Sequence, residues 1–339
     1  MPSNKIIRSV CFFTDNPNNV IVERLNDVVR RLEQSNFVIQ TKRICTPTKY
    51  FRELESKISD RTLMKSTGTL SVDDVYEQFD NFFKTNNVSF NIDLTNESIS
   101  ERHINILFEI IKRKPQQTFN FTYVFNNAVA SPYFPSASYA GNGYAIGLQP
   151  TDLSQDCMTL ERWFERMHQA WIEILELFQG DPDFLGIDSS VAPLFEGKSS
   201  LIDFIKRLGY PFSESVTTEM YMKITRFIKE ENPMPVGLCG LMLPCLEDFE
   251  LAKEYEAGNF TIERNVFLSL HSGLGIDTYP IGIDEDRNRI RDILKLVQGL
   301  SNKYQKPLSV RFVSDGKAKI GEKTNFKNQY LKDVVVKKL

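Results

Sequence analysis

Six carboxylates occupy segments of unusual composition: Asp188, Glu196, Glu247, Asp248, Asp277 and Asp284, each beside Gly, Pro or the end of a strand-like run. Convergent carboxylates either share a hard divalent cation or divide acid and base roles through shifted pKa values. Asp277 and Glu247 are the candidates for proton transfer, and Asp248 and Asp284 for holding Mg2+, Ca2+ or Mn2+. Asp188 and Glu196 are candidate substrate contacts. His271 and Cys245 lie in the same segments and offer a proton carrier and a nucleophile. Asn126, Asn127, Tyr133 and Tyr139, from the run Asn126 to Tyr139, supply polar and aromatic wall for a ligand. Taken singly, each has a plainer reading, Asp188 and Asp248 as helix caps and Glu196 as a solvated charge.

Other chemistries lack support. Ala192 to Ser199 reads A-x-x-x-x-G-K-S between strand and helix, but Pro193 has no N–H to offer a phosphate, and Glu196 places a negative charge beside Gly197. His103, His168 and His271 form no metal-binding spacing, and Ser131 and Ser138 sit in no G-x-S-x-G elbow. Gly273-Leu274-Gly275 lacks the third glycine of a dinucleotide loop.

The elements that position these residues alternate. Strand-like runs at Ile6–Phe13, Phe37–Ile44, Val88–Leu94, Thr118–Phe125, Tyr144–Leu148, Phe184–Ser190, Val236–Leu243 and Leu308–Val313 are separated by helix-period segments. The longest helix, from about Asp156 to Phe178, turns Trp163, Met167, Trp171, Ile174 and Phe178 inward. A polar helical stretch covers Tyr50 to Phe83, and Ser98 with Glu101 reads as a capping box. This alternation predicts a mostly parallel sheet with helical crossovers. About nine or ten strands are many for an open sheet, so the expected fold is α/β: a single closed barrel with outer helices, one domain over 1–339. In parallel α/β folds ligands sit at strand C-termini, and there the unusual segments should meet.

Composition agrees with a soluble protein. With 41 Lys+Arg against 44 Asp+Glu, the formal charge of −3 gives no basic footprint for nucleic acid and no polybasic membrane anchor. No apolar run is long enough to span a bilayer, and five scattered cysteines fit a reducing compartment, so the expected location is the cytoplasm. The expected partner is a small-molecule ligand, with a homo-oligomer left open.

Several motifs in order resemble a known family. Pro132-Tyr133-Phe134-Pro135, Gly186-Ile187-Asp188-Ser189-Ser190-Val191-Ala192-Pro193, Gly240-Leu241-Met242-Leu243-Pro244 before Glu247-Asp248, and Gly275 to Asp284 resemble the domain of unknown function numbered seven hundred and eleven. The ending Ser309-Val310-Arg311 through Gly316-Lys317 and Gly321-Glu322 is similar as well. The resemblance implies a fold like the ten-stranded barrel of pyruvate formate-lyase-like glycyl radical enzymes, and no established reaction. No R-V-x-G-Y-type loop stands near the C-terminus, where the chain runs Gly316-Lys317-Ala318-Lys319-Ile320-Gly321, so a glycyl radical is not expected. The favoured reading is an enzyme acting on a small polar metabolite at the strand C-termini; the alternative is a non-catalytic binding or assembly protein on an ancestral barrel.

Overall fold

Ten strands form one sheet in the structure, a computed structural model that describes residues 5–58 and 60–339. They are Lys5–Phe13 (β1), Phe37–Ile39 (β2), Lys42–Cys45 (β3), Met64–Thr69 (β4), Val88–Asp93 (β5), Phe121–Phe125 (β6), Gly143–Leu148 (β7), Phe184–Asp188 (β8), Gly275–Pro280 (β9) and Leu308–Val313 (β10). The spatial order is β8-β7-β1-β3-β4-β5-β6-β10-β9, with β2 pairing to β1. The fold is thus α/β, with a mixed sheet and surrounding helices. No helix among the described residues is long and apolar enough to cross a membrane.

Strand direction divides the sheet in two. β1, β3, β4, β5 and β6 run parallel to one another. β7 and β8 are parallel to each other but antiparallel to β1, and β9 and β10 are parallel to each other but antiparallel to β6. Strand C-termini therefore lie at two opposite ends, whereas an all-parallel reading gathers them at one. The carboxylate segments belong to the second set, and the Asn126–Tyr139 run leaves β6 at the other end.

The continuous ladder stops at β8 and β9, and those two edges are not joined to each other by hydrogen bonds. The segment Val236–Leu243, expected as a strand, forms no named strand. It does make isolated parallel bridges on both sides, Val191 to Leu241 and Leu241 to Gly273, and Pro244 bridges to Asp277. Met242 N donates to Val191 O at 2.8 Å, and Leu274 N donates to Leu241 O at 2.9 Å.

Other departures are local. Phe37–Ile44 is interrupted at Gln40 and Thr41, giving β2 and β3, and the polar stretch from Tyr50 to Phe83 contains β4 between two helices. The helix Glu101–Arg113 is capped by Ser100 and a buried His103. The segment around His271 and Asp277 holds a helix, Ile262–His271, and the strand β9.

Apolar residues repeating at helical spacing bury one stripe of each long helix on the sheet. In Leu160–Phe178, Trp163, Met167, Ala170, Trp171, Ile174 and Phe178 are buried, and Trp163 Nε1 donates to Pro150 O at 2.7 Å. Each such large side chain contributes about 1.5–3 kcal/mol of burial. On the opposite face of the sheet lies a smaller cluster, Cys11, Phe13, Cys45, Ala130, Ala137 and Ala145, with strand residues packed against the Asn126–Tyr139 run.

Candidate functional site

The run after β6 lies along this second face of the sheet. Ser9 Oγ donates to Pro132 O at 2.8 Å, Asn91 Nδ2 donates to Pro135 O and Ala137 O at 3.0 and 2.9 Å, and Ser131 Oγ donates to Asp188 Oδ2 at 2.7 Å. β1, β5 and the end of β8 therefore all hold the same loop. Tyr133 Oη reaches Leu148 O at 2.8 Å, its ring lying against Gly147, where any Cβ would fall 2.7 Å from that oxygen.

Beside this loop is a cavity of about 50 Å³. Arg8, Arg43, Arg311, Glu247 and Asp277 all line it, together with Asn127, Tyr133 and the apolar Leu238, Met242 and Leu274. Arg311 Nε donates to Asp277 Oδ1 at 2.6 Å, and its Nη2 donates to Glu247 Oε1. Arg8 Nη2 donates to Glu247 Oε2 at 3.0 Å, so both Glu247 oxygens are held by guanidinium groups. Arg43 has no ion pair among the described residues; its Nε donates to Thr41 Oγ1 at 3.0 Å and its Nη1 to Pro132 O at 3.3 Å.

Register breaks aim these side chains. Between the pairs Ile7–Leu148 and Ser9–Gly147, β1 has an extra residue, Arg8. Between the pairs Val310–Ile276 and Phe312–Tyr279, the single residue Arg311 of β10 faces two of β9, Asp277 and Thr278, one extra residue, and Thr278 takes φ 42°. Bulges of this kind turn a side chain off the strict alternation of a strand, and they recur beside active sites.

Burial sets the electrostatics. It lowers the Arg43 guanidinium to about 10, with neighbouring Arg8 adding to the effect. At Arg311 burial also opposes the charge, but Asp277 and Glu247 outweigh it and hold the pKa above its ordinary value. Glu247 is pushed up by burial against the pull of Arg311.

Residues 64–328 match the family model DUF711, described as Uncharacterised ACR. The chain belongs to that family. No curated protein matches the chain. The DUF711 match takes in Glu247, Asp277 and Arg311, while Arg8 and Arg43 precede it.

Of the residues singled out in the sequence, Glu247, Asp277, Asn127 and Tyr133 meet at this cavity of the DUF711 chain. Asp188 stands behind Tyr133 and is not among the lining. Its carboxylate accepts from Ser131 Oγ, Ser190 N and Oγ, Leu238 N and Cys239 N, which ties the loop to β8 and to the bridging segment. Asp248 is the N-cap of the helix Phe249–Glu256, accepting from Glu250 N and Leu251 N, and it also accepts from Ser200 Oγ and Leu201 N. Asp284 is exposed and accepts from Ile320 N. Among the described residues no group of three or more His, Cys, Asp or Glu could hold a metal ion.

Other candidates lie elsewhere. Glu196 is exposed, and Asn126 Nδ2 turns to Ser301 Oγ and Asn302 Oδ1. Tyr139 Oη donates to Asn142 Oδ1. His271 ends its helix with Nδ1 2.8 Å from Ser272 Oγ. Cys245 is wholly buried in the main core, and burial, with Asp277 and Asp248 adding to it, pushes its thiol well up, away from the thiolate a nucleophile needs.

The three arginines were not legible as site residues. Charges on strands of a near-neutral chain read as surface groups, and their partners are far away in sequence, Arg8 and Glu247 being 239 positions apart. The one available signal was a charged residue inside an otherwise apolar strand, as in Ser309-Val310-Arg311-Phe312-Val313.

Proposed function

We propose that the protein is an enzyme that binds a small polar metabolite in the cavity lined by Arg8, Arg43, Arg311, Glu247 and Asp277 and acts on it by proton transfer, without a glycyl radical. The observation that carries this reading is the convergence of five charged, largely buried side chains on one cavity, the arrangement that functional sites use to shift protonation. Asp277 is the proton carrier in this reading. Arg311 holds its Oδ1, and no hydrogen bond among the described residues reaches Oδ2. Glu247, ion-paired through both oxygens, positions the two arginines. That same double pairing favours the second reading, a binding protein without chemistry, because it ties up one of the two carboxylates.

The scaffold in this proposal is one barrel domain. Support comes from residues 234–245, whose backbone bonds to both β8 and β9 span the gap between the sheet edges. Five buried free cysteines support a cytoplasmic setting. Support for a divalent cation is weaker, since both Asp248 oxygens accept from backbone N–H groups, Asp284 Oδ1 accepts from Ile320 N, and no metal-holding group of His, Cys, Asp or Glu occurs among the described residues.

A thermal-shift screen of small metabolites against wild type and Asp277→Asn tests the reading. A stabilising compound whose effect is lost in the variant supports it, and compounds that stabilise both equally overturn the choice of cavity. Conversion of such a compound by substoichiometric protein, followed by NMR, separates enzyme from binder.

A further inference from the structure

We infer that the metabolite is a small monocarboxylate and that Arg43 binds its carboxylate. The inference rests on the cavity assignment above and adds the ligand's charge and shape.

Three guanidinium groups and two carboxylates line the cavity, which leaves one cation in excess. Arg8 and Arg311 are spoken for: they hold Glu247 from both sides, and Arg311 also holds Asp277. The excess falls on Arg43. It is 5% exposed, it has no ion pair among the described residues, and its Nη2 makes no hydrogen bond there. The guanidinium lies 5.0 Å from the centre of the Phe134 ring, which fixes its plane without neutralising it. Even lowered to about 10, the group remains a cation at neutral pH.

Among the neighbours, Glu247 attracts this charge without bonding to it, because its two oxygens are held by Arg8 and Arg311. Asp188 is the other buried carboxylate behind the loop, and five donors from Ser131, Ser190, Leu238 and Cys239 occupy it. Cys11 and Tyr133, which also face Arg43, are both pushed well up by burial and stay neutral. A buried, unpaired charge is expensive, and a bound anion removes that cost.

Charge, shape and room select the anion. A single excess cation matches a monoanion and not a dianionic phosphate. The planar fork of Arg43 matches the two oxygens of a carboxylate. About 50 Å³ at roughly 10–15 Å³ per water-sized group leaves room for only a handful of non-hydrogen atoms. Asp277 Oδ2, open in the same cavity, accepts from a hydroxyl on the ligand, so a short hydroxycarboxylate fits best.

The test uses the full chain and matched probe pairs: formate, acetate and glycolate against formamide, acetamide and glycolamide, with chloride and phosphate at equal ionic strength. Thermal shift and ligand-observed NMR report binding. The expected result is that millimolar carboxylates stabilise wild type and their amides do not. Arg43→Gln weakens the carboxylates about tenfold or more, and Arg43→Lys less. Because Arg43→Gln breaks no ion pair, it should leave ligand-free Tm unchanged or higher, which separates this role from a structural one.

Equal shifts from acids and amides overturn the proposal, as does undiminished carboxylate binding by Arg43→Gln, or a fall in ligand-free Tm as large as that of Arg311→Gln. Stabilisation by phosphate or chloride alone overturns the carboxylate assignment. If no carboxylate binds but a neutral metabolite stabilises the protein in an Asp277-dependent way, this inference fails and the cavity reading stands. If neither binds, both fail.

Discussion

Arg311 Nε sits 2.6 Å from Asp277 Oδ1, and the same guanidinium reaches Glu247, so one side chain of β10 holds the bulge of β9 and the turn before the helix Phe249–Glu256. Breaking a buried pair strands the remaining charge, at about 3–5 kcal/mol. Arg311→Gln strands Asp277 and leaves Glu247 with Arg8 as its one ion-pair partner among the described residues. Urea unfolding at neutral pH should show a loss of that order, and Arg311→Lys should recover only part of it, since a single ammonium lacks the fork. A second substitution, Asp277→Asn, should restore some stability to Arg311→Gln by removing the stranded charge; a further loss instead would mean that Asp277 has other partners.

Asp248 sets a pH dependence of its own. Burial pushes its carboxyl up to about 6, against an ordinary 3.8. Between those values the folded state holds the proton more tightly than the unfolded chain, so the contribution to stability falls as pH rises from about 4 to about 6 and stays low above. At 1.36 kcal/mol per pKa unit the swing is roughly 3 kcal/mol. Unfolding free energies of wild type and Asp248→Asn, measured across that window, should diverge in this direction, with the wild type losing ground relative to the variant as pH rises. Parallel curves would show that Asp248 titrates normally.

Much of the fold is legible where one face of an element is apolar. The stripe from Trp163 to Phe178 and the runs around β1, β5, β6 and β10 announce themselves because packing on helices demands apolar residues at regular spacing. β4 does not. Its sequence, Met-Lys-Ser-Thr-Gly-Thr, is polar although Lys65, Ser66 and Thr67 are buried, because backbone bonds and the loop at Ser138 and Tyr139 cover it. Strand direction is equally hidden: nothing in β7 or β10 alone distinguishes an antiparallel neighbour. The site was half legible. Glu247 and Asp277 stood out from their glycine- and proline-rich context, but Arg8 and Arg311 reach the cavity through register breaks, which depend on the partner strand and not on local composition.

The cysteines give a chemical check on the packing. All five are buried and free; burial pushes Cys45 up to about 12 and Cys11 and Cys245 well above the ordinary thiol range. Thiolate is the reactive form, so native protein should react with a thiol reagent far more slowly than denatured protein, which should titrate all five. Cys245→Ala should cost about 1–3 kcal/mol of stability through lost packing and leave ligand binding unchanged. Rapid native labelling at Cys245, or loss of binding in Cys245→Ala at intact stability, would return it to the list of reactive groups.

Gly147 tests whether the Asn126–Tyr139 loop is integral to the fold. Its backbone is ordinary, so the constraint is space: a Cβ would lie 2.7–3.0 Å from Oη, Cζ and Cε2 of Tyr133. Tyr133 Oη is fixed by its bond to Leu148 O, and Ser131, Pro132 and Pro135 on the same loop are held by Asp188, Ser9 and Asn91. The ring has little freedom to retreat, so Gly147→Ala should displace the loop and cost about 1–3 kcal/mol. Tyr133, buried in the native state, should become cleavable by chymotrypsin in the variant, with the wild type resistant under the same conditions. Wild-type stability together with wild-type resistance would show that the sheet accommodates the methyl group by moving β7 instead.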